Sequence, residues 1–356
     1  MGMVQTDLTA PVLVTGATGY VAGHIVRRLL EEGYTVHAAV RDPDNATKVQ
    51  HLTELADRLP GTIRYFRSDL LQTGSYVDAM QGCETVFHTA SPCHLAVEDP
   101  QRDLVEPALS GTSNVLQTVN EIATVRRVVL TSSCAAIFGD NADVESSVTG
   151  AFTEADWNTT STLDHQPYAY SKVLAEKEAW RIAGAQDRWD LVSVNPSVVV
   201  GPGLSAQGSS ATYEFLIKFA DGSMKSGAPD YGMGKVDVRD VAEAHMKSAF
   251  TPSASGRYLI CAKNTSFPEV AAVLRKEFGD DWPFPKRTLP KWIVWLFGPL
   301  KDRTLTRKLI RRNVGHPFVA DNSRSINDLG MTYRSVEESI VDLFQQIIDA
   351  GLLKSP

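Results

Sequence analysis

The chain is 356 residues long, with 43% hydrophobic and 22% charged residues, a net charge of −7 and a pI of about 5.7. That length suits one large domain or two smaller ones, and the balance is that of an ordinary globular protein rather than of a duplex-binding one, which is usually basic. Its four cysteines, Cys83, Cys93, Cys134 and Cys261, form no CxxC pair, so no metal or redox site is expected, and with no apolar leader the expected setting is cytoplasmic.

The first residues, MGMVQT, match the myristoylation pattern through Gly2 and Thr6. "APVLVTGATGY" is a short apolar run that breaks at Gly16; "YVAGHIVRRLLEEGY" has helical periodicity and ends at Gly33; "YTVHAAVRDP" is a β-branched run closed by Pro43. Strand, helix and strand over some thirty residues make a βαβ unit. The alternation continues with a strand in "TIRYFRSDL", a short helix over 75–81, a strand in "ETVFHTASP", a long helix over 101–122 and a strand in "VRRVVLTSS". A helix over 167–186 and a strand in "WDLVSVNPSVVVG" follow. Such alternation implies a parallel sheet covered on both faces.

Beyond Gly201 the rhythm changes. Residues 201–236 are rich in Gly and Ser around a helical patch, "TYEFLIKFA"; "KVDVRDVAEAHMKSAF" is a strand entering a helix, "GRYLICA" another strand, and the chain from Ser266 is mostly helical. The expected fold is a Rossmann-type doubly wound parallel α/β sheet over residues 1–200, rejoined by 237–262. A smaller, mainly C-terminal substrate-binding domain, mostly helical, comprises 201–236 and 263–356. The run "WIVWLFGPL" is too short to span a bilayer. Its expected role is a helical cap with its apolar face on the core, and an interfacial membrane helix is the alternative.

Gly16-Ala-Thr-Gly19-Tyr-Val-Ala22-Gly23 follows a strand and opens a helix. Glycines there let the backbone approach a pyrophosphate, which sits at the helix N-terminus. At the end of the second strand an acidic residue binds a ribose 2′-OH and an arginine accommodates a 2′-phosphate. Here both occur, Arg41 and then Asp42. Arg41 directly follows the apolar run, Asp42 reads as turn chemistry before Pro43, and Lys48 adds a positive charge. The weight falls on NADPH, with Asp42 on the ribose of NAD as the alternative.

Ser132 and Ser133 end the strand "VVLTSS", where open α/β sheets place ligands. In "HQPYAYSK" a helix puts Tyr168 and Lys172 on one face, being i and i+4, and turns Tyr170 elsewhere. Carbonyl reduction needs a hydride, a proton and charge stabilisation. A nicotinamide supplies the hydride. A tyrosine supplies the proton when a lysine ammonium brings its pKa of about 10 toward neutrality. A serine hydroxyl stabilises the carbonyl oxygen.

The segments "VLVTGATGYVAGHIVRRLLEEGYTVHAAVRDP", "SDL", "VFHTASP", "GTSNVLQTV", "RVVLTSS", "YAYSK", "NPSVVVGP", "VDVRDVAEAH", "GRYLICA" and "DNSRSINDLG" run along nearly the whole chain. With them the chain resembles the extended short-chain dehydrogenase/reductases, in particular the dihydroflavonol reductase and aldehyde/ketone (carbonyl) reductase branch. The resemblance implies Ser133, Tyr168 and Lys172 as the catalytic triad, with Tyr168 and Lys172 also touching the cofactor. It implies Gly16, Thr18, Gly19, Tyr20 and Val21 at the pyrophosphate turn and Arg41 and Lys48 at the 2′-phosphate. Asp69 and Leu70 belong beside the adenine, Thr89, Ala90 and Ser91 along the cofactor cleft, and Pro196, Val198 and Val199 by the nicotinamide. Asn114 is a lesser candidate near the active site. Flavonoid-reducing members carry an asparagine five places after the catalytic serine, where this chain has Phe138. That points to a less polar aldehyde or ketone.

The resulting expectation is an NADPH-dependent reductase of a small-molecule carbonyl substrate, without nucleic-acid or membrane partners; a homodimer through the long helices is the assembly this fold suggests. A nucleotide-sugar epimerase or dehydratase on the same fold is the near alternative, and a non-catalytic NADP sensor the distant one. Cys134 is expected to be a small buried hydrophobe, since no histidine is placed to activate it. His88, His94 and His165 lack metal-ligand spacing; Asp237, Arg239 and Asp240 form a structural charge cluster; "RKLIRRN" is expected to be a solvated helix face.

Overall fold

Apolar β-branched runs become strands, and the segments between them with a 3.6-residue apolar period become helices. The computed structural model describes residues 9–91, 97–205 and 211–353; Gly2, Thr6, Cys93 and His94 lie outside the described residues. The alternation begins with β1 (Val12–Thr15), α1 (Tyr20–Glu31), β2 (Thr35–Val40), α2 (Ala46–Ala56), β3 (Thr62–Arg67) and α3 (Val77–Met80). It continues with β4 (Thr85–His88), α4 (Glu106–Glu121), β5 (Arg127–Thr131), α5 (Pro167–Ala183) and β6 (Asp190–Pro196). The long helix expected over 101–122 opens with a wide π-turn over Gln101–Val105. Pro107, in the first turn of α4, has no N–H for the carbonyl four residues back, and the wider turn accommodates it.

The remaining elements are β7 (Val198–Val200), α6 (Ala211–Ala220), β8 (Ala228–Pro229), β9 (Gly232–Asp237), α7 (Val238–Phe250) and β10 (Gly256–Ile260). After them come β11 (Lys263–Ser266), α8 (Phe267–Phe278), β12 (Thr288–Leu289), α9 (Lys291–Lys301), α10 (Arg307–Asn313), α11 (Ser323–Leu329) and α12 (Val336–Asp349). Seven strands form one sheet in the order β10-β6-β5-β4-β1-β2-β3, every pair parallel. The fold is thus a Rossmann-type doubly wound α/β sheet whose strand order reverses between β1 and β4.

One core lies between the sheet and α1, α2 and α7, and a second between the sheet and α3, α4 and α5. A third, built by Tyr213, Phe219, Leu274, Trp282 and Phe344, holds α6, α8 and α12 together.

Three expectations change. "WDLVSVNPSVVVG" is two strands, not one. β6 stays in the large sheet until Pro196 meets Ile260, and β7 pairs instead with β9 in a sheet of order β11-β9-β7. Proline has no N–H to continue a ladder, so the break falls where a strand must leave.

The apolar face of α9 does not pack on the core. Only Val294 of this helix is buried, in a small cluster with Ile310 and Val314. "RKLIRRN" is only half solvated. Ile310 and Asn313 of α10 are buried, and Arg312 reaches Asp140 at 2.6 Å and Asp143 at 2.5 Å.

Two histidines are locked in the sheet layer. His245 of α7 bridges Thr131 Oγ1 at 2.7 Å and Val241 O at 2.7 Å; His88 lies 3.1 Å from Thr15 Oγ1. Burial pushes His245 down to about 4; burial, and then the nearby Lys172 charge, pushes His88 down to about 3. Both stay neutral in the folded protein where an unfolded histidine, with a pKa of about 6.5, takes up a proton. The unfolded state therefore binds more protons over that interval, and stability is lost as pH falls from about 6.5 toward 4. Thermal unfolding is expected to give a Tm that drops steadily from about pH 7 to pH 4.5 and a shallower slope in His245→Gln. A Tm independent of pH across that window would contradict this account.

Candidate active site

β1 ends at Thr15, and the chain turns at Gly16 with φ +62°. A Cβ at Gly16 would lie 3.1 Å from Ala90 Cα, so both conformation and crowding call for glycine. Gly19 caps α1 with no side chain to offer, which leaves the first N–H groups of the helix facing outward. That is the arrangement an anionic group binds, and it fits a dinucleotide pyrophosphate at the strand-order reversal. Thr18 and Val21 lie within this turn and the first helical turn.

The tips of β1 and β4 are tied together there. Thr15 Oγ1 accepts from Thr89 N at 3.1 Å and Ala90 N at 3.0 Å, and the Thr89 hydroxyl donates to Thr15 O. Thr15 was not singled out by the sequence pattern. The Tyr20 hydroxyl donates to Gly201 O at 2.5 Å and its ring stands edge-on to Tyr213. Its main chain opens α1 directly after Gly19.

Asp42 is also committed elsewhere. Arg67, the last residue of β3, donates to Asp42 Oδ1 at 3.2 Å, Asp44 Oδ2 at 2.6 Å and Arg41 O at 3.2 Å. The Arg41 side chain is exposed and, among the described residues, makes no ion pair. Lys48 is exposed in the first turn of α2, its N–H capped by Asn45 Oδ1 at 3.3 Å. Asp69 Oδ1 accepts from Leu71 N at 2.8 Å, and a Cβ at Gly111 would run into the Leu70 side chain.

Asn114 is engaged with a loop. It is buried and donates to Leu70 O at 3.1 Å and Gln72 O at 2.9 Å, while its Oδ1 accepts from Gly74 N at 3.2 Å. It therefore holds the 69–74 loop.

α5 begins at Pro167, after Gln166 at φ 56° and ψ 56°, the sole non-glycine with positive φ among the described residues. The Gln166 amide donates to Gly139 O and, at 2.7 Å, to Asp140 Oδ1, and these bonds hold that unfavourable backbone conformation. Tyr168 and Lys172 share one face of α5, with Lys172 Nζ 5.6 Å from the Tyr168 ring centroid. Lys172 Nζ donates to Ser91 Oγ at 2.8 Å, which joins α5 to the end of β4. Ser133 follows β5 and caps a short turn over Cys134–Ala136, Oγ accepting from Ala135 N at 3.1 Å. α5 packs against that turn.

Pro196 ends β6, and Val198 and Val199 pair with Lys235 and Val236 of β9. Lys235 is buried over the Phe215 ring, 4.5 Å from its centroid, and burial brings its ammonium down to about 7. Burial pushes the Cys134 thiol up to about 12, as befits a packing residue. Among the described residues no cluster of His, Cys, Asp or Glu is arranged to hold a metal.

The pattern also missed Glu176. It stands one turn beyond Lys172 and is 1% exposed. It accepts from Ser132 Oγ at 2.6 Å, Asn195 Nδ2 at 2.7 Å, Trp180 Nε1 at 3.2 Å and Arg257 Nε at 2.7 Å. The i, i+4, i+8 spacing of Tyr168, Lys172 and Glu176 was the available signal.

A parallel sheet in this order, with a glycine turn at its reversal, defines a dinucleotide-binding protein. The chain belongs to the NAD dependent epimerase/dehydratase family, whose model matches residues 12–261. It is 39% identical over 277 residues to an anthocyanidin reductase ((2S)-flavan-3-ol-forming) of Vitis vinifera, covering 74% of this chain and 80% of that one. It is 40% identical over 281 residues to the cinnamoyl-CoA reductase CAD2 of Medicago truncatula, covering 77% and 82%. The yeast methylglyoxal/isovaleraldehyde reductase Gre2, solved with NADPH, has the same fold, with a TM-score of 0.76 and 27% identity over 95% of this chain and 98% of that one.

Removing one member of a buried ion pair leaves the other uncompensated, at a cost of about 3–5 kcal/mol. Glu176→Ala is expected to lose about that much in denaturant unfolding, and Glu176→Leu with Arg257→Met markedly less. Equal losses would remove the Arg257 charge as the cause.

Proposed function

We propose that this protein is an NADPH-dependent reductase that converts an apolar or aromatic aldehyde or ketone to its alcohol. The similar proteins named above are reductases, although their names agree on no one substrate. The observation that carries the reading is the Tyr168–Lys172 face of α5, joined through Ser91 to the end of β4 beside the glycine turn.

NADPH, when bound, supplies the hydride that the carbonyl carbon accepts. The N–H groups opening α1 hold the pyrophosphate, and the Gly16 turn gives it room. Arg41 and Lys48 receive the 2′-phosphate; Asp42, paired with Arg67, leaves that place to them. Ser133 donates a hydrogen bond to the substrate oxygen as charge builds there. Tyr168 delivers its phenolic proton to that oxygen and recovers one from solvent. The Lys172 ammonium favours the transient phenolate and holds the nicotinamide ribose.

Phe138 supports the choice of substrate. It stacks on Phe152 with centroids 4.5 Å apart and leans on Phe318 at 5.0 Å, five residues after Ser133. This aromatic group offers no hydrogen bond to a polyhydroxylated ring and suits an apolar one.

Consumption of NADPH against aromatic and aliphatic aldehydes, a β-ketoester, a diketone, a dihydroflavonol and a UDP-sugar tests the reading, with NADH in parallel. Simple aldehydes or ketones are expected to turn over with NADPH. Tyr168→Phe is expected to lower kcat by about 100-fold or more, the usual range for a lost proton donor. Unchanged turnover in a folded Tyr168→Phe protein would refute its role. Arg41→Ala is expected to raise KM for NADPH by about 10-fold or more and that for NADH little, since a bond to a charged group is worth about 1.5–3 kcal/mol. Activity on the UDP-sugar alone would transfer the reading to an epimerase, and tight cofactor binding without any turnover to a sensor.

A further inference from the structure

α9 turns an apolar face outward. Trp292, Trp295, Leu296 and Leu300 recur at i, i+3, i+4 and i+8, one stripe of an 11-residue helix. They are 65%, 41%, 43% and 84% exposed, with Phe297 at 55% beside them. The opposite side is occupied. Val294 is buried with Ile310, and a Cβ at Gly298 would lie 3.2 Å from the Ile310 side chain. The helix therefore rests on α10 and cannot turn its stripe inward without losing that contact. A concentration of exposed large apolar side chains marks an interaction surface.

The charge around the stripe indicates what covers it. Residues 291–316 carry seven Lys or Arg and one Asp, a net of +6 in a chain of −7, so the rest of the protein sums to −13. Lys301, Arg303, Arg307, Lys308 and Arg311 are exposed. Arg307 lies over the Trp295 ring, 4.6 Å from its centroid, and Lys291 Nζ donates to Arg311 O at 2.7 Å. Basic groups thus border the aromatic stripe directly. A two-fold dimer through this face would set the same basic border against itself. A bilayer surface with anionic lipids meets both features at once, with indoles at headgroup depth and cations on phosphates and carboxylates. At about 1.5 Å per residue the helix is about 16 Å long, far short of a bilayer core of about 30 Å, so it lies on the surface.

We propose that α9, with the basic stretch that follows it, is a docking surface that seats the protein peripherally on anionic membranes. The full chain is mixed with vesicles of equimolar phosphatidylserine and phosphatidylcholine, or of phosphatidylcholine alone, and followed by flotation and tryptophan emission. Flotation with the anionic vesicles only is expected, with a blue shift in emission and a loss of about 10-fold or more on raising salt. Trp292→Glu with Leu300→Glu is expected to abolish flotation. Arg303→Glu with Lys308→Glu is expected to weaken it by about 10-fold, both proteins keeping the parent circular dichroism. No flotation of the parent chain at low salt overturns the proposal whatever the variants do. So does undiminished flotation of the charge-reversed variant. A dimer in size-exclusion chromatography that Trp292→Glu dissociates also overturns it, and assigns the stripe to a second copy of the chain.

Discussion

The geometry of the site rests on one buried carboxylate. Glu176 lies on the face of α5 that carries Tyr168 and Lys172, and its oxygens are held by groups from three parts of the sheet: Ser132 after β5, Asn195 in β6 and Arg257 in β10. Arg257 is itself satisfied by Glu154 O and Asp156 O and lies over the Trp157 ring, its guanidinium carbon 3.9 Å from the centroid. Taking two charges out of water is costly, and a well-packed apolar group of equal volume would fill the space as well. It would not fix how far α5 is turned about its axis. Directed hydrogen bonds do that, and the rotation decides whether the Tyr168 hydroxyl and Lys172 ammonium face the cleft.

The head of the same helix is fixed by different means. Asp140 is fully buried and accepts from His165 Nε2 at 2.9 Å, Gln166 Nε2 at 2.7 Å, Arg312 Nε at 2.6 Å and Asn313 Nδ2 at 2.6 Å. Burial works to raise this carboxyl, yet the bonds from His165, Asn313 and Arg312 hold it below the usual carboxylate range. Through it α10, far along the chain, supports the left-handed Gln166 two residues before Tyr168. The shaft of α5 thus belongs to the sheet and its head to the C-terminal helices, so a shift of α10 against the sheet would act on the backbone next to Tyr168.

Local signals made much of this legible in the sequence. A turn that needs positive φ announces itself as glycine, and a helix face announces itself by spacing, so Gly16 and the Tyr168–Lys172 pair were readable. The strand alternation implied the doubly wound sheet. Buried polar networks leave no such mark, because their members come from distant segments: Glu176 and Arg257 are 81 residues apart, Asp140 and Arg312 172. Hence "RKLIRRN" read as a solvated face although Arg312 and Asn313 point inward. The partner of the Tyr20 hydroxyl was hidden for a related reason. The position of Tyr20 in the glycine turn is local, but its ring follows a long-range partner, Gly201. The break between β6 and β7 was visible only as a proline, whose consequence depends on which strand lies beside it.

The aromatic cluster that follows Ser133 stands apart from these anchors. The cofactor turn, Ser91 and Lys172 are fixed by contacts among β1, β4 and α5, and Glu176 ties α5 to the sheet. Phe138, Phe152 and Phe318 belong to none of these networks; they pack on one another and on Ile137 and Cys261. Exchanging one of them would therefore alter the packing beyond the turn after Ser133 without removing a bond of the Glu176 anchor.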